Sequence, residues 1–133
     1  MTTQQTTPQP FTAQAFEAFW ADPKPDYVTP DPFVADVVGF WPDTTLHGVE
    51  DYTARLKDLL VKLPGMYLTL AEHANNGEYI FVRWVMHATG PNGRFELPGV
   101  DRIRVKDGLV AENLIIFDTR RFEEMSGLTL ADI

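Results

Sequence analysis

Arg83, His87, Asp101 and Asn113 sit on predicted strands and have the side-chain types needed for acid–base chemistry on a carbonyl compound. A histidine oriented by a carboxylate can take a proton from the carbon next to a carbonyl. An arginine and an amide beside it can hold the charge that then develops on oxygen. Strand alternation sets Tyr79, Phe81, Arg83, Val85 and His87 on one face of the run Glu78 to Thr89, and Ile80, Val82, Trp84, Met86 and Ala88 on the other. A three-residue loop, Lys106-Asp107-Gly108, pairs Val105 with Leu109 and is the preferred register, since the ladder then places Arg102 opposite Glu112 and Asp101 opposite Asn113; a two-residue loop would instead face Glu112 with Ile103 and Asp101 with Leu114. Each of these residues also has a plain structural use. Arg83 can be the internal salt-bridge partner of Asp101, His87 can be solvated at the strand end, and Asn113 can simply satisfy Asp101 or nearby backbone.

The elements that position them follow from periodicity. Thr12 is a good N-cap for a helix carrying Ala15, Phe16, Phe19 and Trp20 on one face, ended by Asp22-Pro23. The proline-dense stretch Pro23 to Pro32 forbids a long helix, although Asp31-Pro32 can open a short one carrying Phe33 and Val34. Val37 to Trp41 reads as a short strand. From Thr45 to Leu63 the apolar positions Val49, Tyr52, Leu56, Leu59, Leu60 and Leu63 recur at helical spacing, and Pro64-Gly65 stops them. A meander follows: Met66 to His73, Glu78 to Thr89, Phe95 to Val105 with a bulge expected at Pro98-Gly99, and Leu109 to Asp118. Helices first and strands after them define an α+β domain.

Composition narrows the partners. Among 133 residues, 11 Lys+Arg stand against 19 Asp+Glu, a net charge of −8, which argues against nucleic acid and against an anionic membrane surface. The 44% hydrophobic and 12% aromatic content supports a core with a cavity beside it. There is no cysteine, so disulfides, thiolate metal sites and cysteine nucleophiles are excluded. His47, His73 and His87 fall on different elements without ligand spacing, so neither a metal nor another cofactor is expected. Gly90-Pro91-Asn92-Gly93 is a turn and no phosphate loop, since no helix follows it. The start, MTTQQTTPQP, lacks the basic and apolar regions of a signal peptide. The expectation is a cytoplasmic chain with a disordered tail over residues 1–10, one domain over 11–124 and a C-terminal tail over 125–133.

This order of elements resembles the SnoaL-like branch of the nuclear-transport-factor-2-like superfamily, which includes ketosteroid isomerases, limonene-epoxide hydrolases and polyketide cyclases. The resemblance spans Phe11 to Glu124. It is carried by Ala35-Asp36-Val37-Val38, by Leu46-His47-Gly48-Val49-Glu50, by the run Gly99 to Gly108, by Glu112-Asn113 and by Phe117-Asp118. The stretch Phe117 to Glu124 looks especially like the epoxide hydrolase terminus. The resemblance implies a cone-shaped curved antiparallel sheet wrapped around N-terminal helices, a cystatin-like α+β barrel with an apolar pocket inside. It places Asp101 where the isomerases keep an aspartic acid held protonated by apolar surroundings. It turns the Arg83 and His87 side of the strand into the cone, with Tyr27, Phe40, Trp41, Tyr52, Phe81, Val85, Ile103, Ile115 and Phe117 as pocket residues.

Under that assignment Ile80, Val82, Trp84 and Met86, with Leu114 and Ile116, form an exposed apolar surface, which implies a homodimer through the outer sheet face. The opposite assignment makes these residues the core and puts Arg83 and His87 outside. Two departures bear on chemistry. The isomerase general-base position falls on Gly39; the epoxide hydrolase arginine matches Arg83, but its two acids fall on Val85 and Ile115. The expected function is a cofactor-free isomerase or cyclase acting on a small hydrophobic carbonyl compound, with Asp101 and His87 as acid and base. A small-molecule binding protein and a dimerising accessory subunit are the alternatives, because one scaffold hosts many functions.

Overall fold

The computed structural model describes residues 10–133, so the tail expected over residues 1–10 lies outside it apart from Pro10. Thr12 opens helix α1 (Ala13–Trp20) by accepting the Ala15 N–H at its hydroxyl over 3.1 Å. After a 3-10 turn at Pro25–Tyr27 come strand β1 (Phe33–Phe40), strand β2 (Thr45–His47) and helix α2 (Val49–Lys62). Strands β3 (Tyr67–Asn76), β4 (Tyr79–Gly90), β5 (Gly93–Lys106) and β6 (Leu109–Phe117) follow, then helix α3 (Thr119–Ser126) and a 3-10 turn at Leu130–Asp132.

Two local expectations give way to sheet pairing. The short helix foreseen after Pro32 is instead the start of β1, because the Val110 N–H donates to the Pro32 carbonyl over 2.8 Å and draws this segment onto β6. The long helix foreseen from Thr45 begins only at Val49. Residues Thr45 to His47 pair with β1, and Gly48, at φ 90°, breaks the chain direction between strand and helix.

The six strands form one curved sheet in the order β2-β1-β6-β5-β4-β3. It is mixed: β1 runs parallel to β6, and the other neighbours are antiparallel. The wholly antiparallel sheet of the expectation is corrected on this point, while the α+β class holds.

Register at the last hairpin also differs. Asp107 and Gly108, at φ 52° and 82°, form a two-residue turn of the primed kind, so Lys106 faces Leu109. The ladder then slips between Arg104 and Val105, leaving Ala111 as the extra residue of a bulge. Pro98-Gly99, where the bulge was expected, continues the β4–β5 ladder without a shift. The result sets Asp101 opposite Ile115, Asn113 opposite Ile103 and Arg104 opposite Glu112. The offset from the expected register is two residues, and an even offset preserves the face of every side chain. Asp101 and Asn113 therefore still share a face, as diagonal neighbours.

The face itself is the larger correction. Ile80, Val82, Trp84, Met86 and Ala88 are all buried, while Phe81 and Arg83 on the other side of β4 are exposed. Ile80, Val82, Trp84 and Met86 belong to the core and form no dimer surface; Leu114 and Ile116 alone of that set lie on the outer face, Ile116 at 56% exposure. Helices α1, α2 and α3 pack against the sheet and cover the apolar side of β4.

Residues 125–133, expected as a tail, are packed. Asp118 caps α3 by accepting the Arg121 N–H, Phe122 is fully buried between Phe95 and Phe117, and Ile133 is buried in the core. No helix among the described residues is long and apolar enough to cross a membrane.

Candidate functional site

A cavity of about 390 Å³ lies between the helices and the inner face of the sheet, at the small end of the roughly 300–1,000 Å³ typical of ligand pockets. Its wall is mostly aromatic and aliphatic: Phe16, Phe19 and Trp20 from α1, Phe33 from β1, Leu56 and Leu59 from α2, and Met86, Ile103 and Ile115 from the strands. Polar groups are few, and four of them are joined in one chain of hydrogen bonds.

Asp101, on β5, is 6% exposed. Its Oδ1 accepts the indole N–H of Trp84 over 2.9 Å, and its Oδ2 accepts the Asn113 amide over 3.1 Å. Burial among apolar side chains pushes the carboxyl up to about 6, with the indole and amide donors opposing the rise. The same Asn113 Nδ2 donates to the Tyr52 hydroxyl over 2.8 Å. Burial pushes the Tyr52 phenol well above its ordinary range, partly offset by the Asn113 bond, so the group is a neutral hydroxyl at any working pH. Neither the Oδ1 of Asn113 nor the Nε1 of Trp41, another cavity residue, has a hydrogen-bond partner.

Cations stand behind the wall and none lines the cavity. The Arg55 guanidinium, which is not a lining residue, lies 4.5 Å from the centre of the Trp41 ring, paired with Asp43 over 3.2 Å and donating to the Leu130 carbonyl. No Lys, Arg or His appears among the lining residues, whose ionisable side chains are Tyr27, Asp31, Tyr52 and Asp101. Among the described residues no group of three or more His, Cys, Asp or Glu could hold a metal ion.

Of the residues singled out from sequence, Asp101 and Asn113 come together in the cavity, and Arg83 and His87 do not. Arg83 extends from the outer face to Glu72, with Nε 2.9 Å from Oε1 and both side chains largely exposed. His87 stacks on Tyr67 at 4.6 Å between ring centres, with Nε2 3.0 Å from the Thr69 hydroxyl and Nδ1 3.4 Å from Glu96. This Glu–His–Thr row lies across the open sheet face, away from the cavity. Tyr27, Trp41, Tyr52, Ile103, Ile115 and Phe117 line the cavity, whereas Phe40, Phe81 and Val85 are on the outer face.

Two features escaped the sequence reading. Trp84, assigned to the outer face, is the donor that grips Asp101, and Tyr52, read as a wall, is the cavity's hydroxyl. Gly99 directly opposite Trp84 was the available signal: a Cβ there would collide with the indole ring, so the glycine makes room for it. A similar fit explains why no acid occupies position 39. A Cβ at Gly39 would lie 2.6 Å from Tyr52 Cε2, so the tyrosine ring fills the space an acidic side chain would need.

Fold and site together define an α+β domain with a curved sheet, an apolar cavity and a buried carboxylate held by neutral donors. The chain belongs to the SnoaL-like domain family, whose model matches residues 11–113. Solved structures agree at the level of fold. A Catenulispora acidiphila protein with a ketosteroid isomerase-like fold, in complex with trimethylamine, is similar with a TM-score of 0.74 and 17% identity, over 86% of this chain and 91% of that one. TerC, co-crystallised with polyporic acid, gives 0.73 and 22% over 86% and 95%. An NTF2-like protein of unknown function from Burkholderia pseudomallei gives 0.67 and 23% over 74% and 82%. No curated protein matches the sequence.

Proposed function

We propose that the protein is an isomerase- or cyclase-type enzyme that moves a proton on a small hydrophobic carbonyl compound, with Asp101 as the base and the Tyr52 hydroxyl as the donor to the carbonyl oxygen. One observation carries this reading: Asp101 is buried in an apolar cavity and held by two neutral donors, a setting in which burial pushes its carboxyl up to about 6. A carboxylate in that state is ionised at neutral pH and is a stronger base than an ordinary aspartate.

In the proposed step the carboxylate takes a proton from the carbon next to the carbonyl. The C–H electron pair becomes the enolate double bond, and the carbonyl π pair moves onto oxygen. The Tyr52 O–H, neutral because burial raises its pKa, donates to that oxygen. Protonated Asp101 then returns the proton to a different carbon, or the enolate carbon attacks a second carbonyl carbon in the same molecule, whose π pair moves onto its oxygen and takes the proton from Asp101. The proton leaves and returns within the site, so the step balances without a redox partner. Arg83 and His87 take no part in it.

A second reading, binding without chemistry, is favoured by the two hydrogen bonds that Asp101 already accepts, since donors to a carboxylate weaken it as a base. Incubation with a panel of small cyclic ketones separates the two. Conversion that Asp101→Asn abolishes supports the enzyme; tight binding with every ligand recovered unaltered supports the binder. Pairing of two copies through the outer sheet face, where Phe81 and Ile116 are exposed, is part of the proposal, and light scattering tests it.

A further inference from the structure

Asn113 uses both amide protons, one on Tyr52 Oη and one on Asp101 Oδ2, while its own Oδ1 is buried without a donor. This pattern belongs to ionised Asp101, which can only accept. It also leaves the Tyr52 hydroxyl accepting from the amide, so the phenolic proton is free for the cavity. A proton arriving on Asp101 Oδ2 would confront an N–H, donor against donor. Turning the amide over removes the conflict: Oδ1 then accepts from the Asp101 O–H, and from Tyr52 as well, whose hydroxyl reverses and donates to it. The orphan oxygen gains two partners, the amide N–H groups give up theirs and move to where Oδ1 stood, and the tyrosine proton leaves the cavity.

We propose that Asn113 is a positioning residue that links the two working groups: in the free protein it leaves the Tyr52 proton open to an incoming carbonyl ligand while Asp101 is ionised and withdraws it when Asp101 is protonated, whereas an enolate already formed holds that proton by its own charge. Before a ligand binds, the base and the hydrogen-bond donor are therefore competent together or not at all. The groups facing Asp101 are consistent with a two-state coupling. Tyr52 comes from α2, Trp84 from β4 and Asn113 from β6; the other titratable groups on the cavity are Tyr27 in the 3-10 turn and the exposed Asp31 before β1. No basic side chain is there to compensate a charge change on Asp101 by itself.

The consequence for ligands rests on the carbonyl reading above, but the coupling is measurable without any ligand. Titration of the free protein from pH 4.5 to 8 is followed by NMR on the Trp84 indole N–H, which reports Asp101, and on the Tyr52 ζ-carbon, which reports whether the phenol donates or accepts. The expected result is one shared midpoint for both signals. In Asn113→Leu, similar in size and without the amide, the indole signal still titrates and the Tyr52 signal stays flat. A flat Tyr52 signal in the wild-type protein while the indole titrates overturns the proposal, as does a Tyr52 response that persists in Asn113→Leu. The affinity for 1-indanone, a neutral ketone that only accepts, should drop at least threefold as the pH falls through the same midpoint in the wild type and not in Asn113→Leu. If 1-indanone fails to bind while the two signals move together, the carbonyl reading fails and the coupling stands.

Discussion

The indole Nε1 of Trp84 reaches Asp101 Oδ1 over 2.9 Å by lying across Gly99, the residue that faces it on β5. Two features two residues apart on β5 thus cooperate: one gives the ring its space and the other accepts its proton. A methyl group at position 99 would occupy the volume of the ring itself. Gly99→Ala is expected to cost about 1–3 kcal/mol by overpacking. Chemical denaturation measures the loss, and a change in Trp84 fluorescence shows the ring leaving Asp101.

Stability should depend on pH with a sign set by Asp101. Folding raises its pKa from 3.8 to about 6 through burial. Between those values the native state holds a proton that the unfolded chain has released, so stability falls as pH rises. The contribution is fully present below about pH 4, is lost by about pH 6 to 7, and amounts to roughly 3 kcal/mol. Denaturation curves at pH 5 and pH 8 should show this decline in the wild-type protein and a smaller one in Asp101→Asn.

Arg83→Ala and His87→Ala should leave both ligand binding and turnover unchanged. The Arg83–Glu72 pair is exposed, with side chains at 47% and 70%, and such pairs are worth about 0–1 kcal/mol. Steady-state kinetics of the two variants checks this; a large loss in either would return the outer face to the chemistry.

Tyr52→Phe keeps the ring that packs over Gly39 and against Phe33, 4.9 Å between ring centres, and removes only the oxygen. It should cost about 1–2 kcal/mol of stability, because the Asn113 amide loses an acceptor in a buried place. Turnover should fall about 10²–10³-fold, the usual effect of deleting one donor to a developing oxyanion. A loss confined to stability would make the hydroxyl structural.

The fold was legible in sequence wherever local pattern and tertiary pairing agreed. The Thr12 cap, the spacing from Val49 to Leu63 and the strand runs after Met66 each specify their element without help from distant residues. It was not legible where pairing overrode local preference. Pro32 looks like a helix start, and only the ladder with Val110 makes it a strand. The hairpin register hung on whether Lys106 pairs or stays in the loop, and then on a bulge at Ala111 that no local signal marks.

The candidate site divides along the same line. Asp101 and Asn113 were found because an even register offset leaves their shared face intact. Arg83 and His87 were misplaced because the resemblance overruled a simpler indication: Ile80, Val82, Trp84 and Met86 form the more apolar side of β4, and that side belongs in the core. Tyr52 could be seen as a helix face position but not as a polar partner, since its link to Asn113 spans 61 residues of sequence.

The central claim is that Asp101 removes a proton from carbon in a bound carbonyl compound. Deuterium uptake at the α-carbon of 1-indanone in D₂O, followed by NMR at pH 7, reads that step before any product forms. Wild-type protein should accelerate the exchange at least 10²-fold over Asp101→Asn at equal concentration, within the range usual for a positioned base. Equal exchange rates for the two proteins, with 1-indanone bound to both, would contradict it.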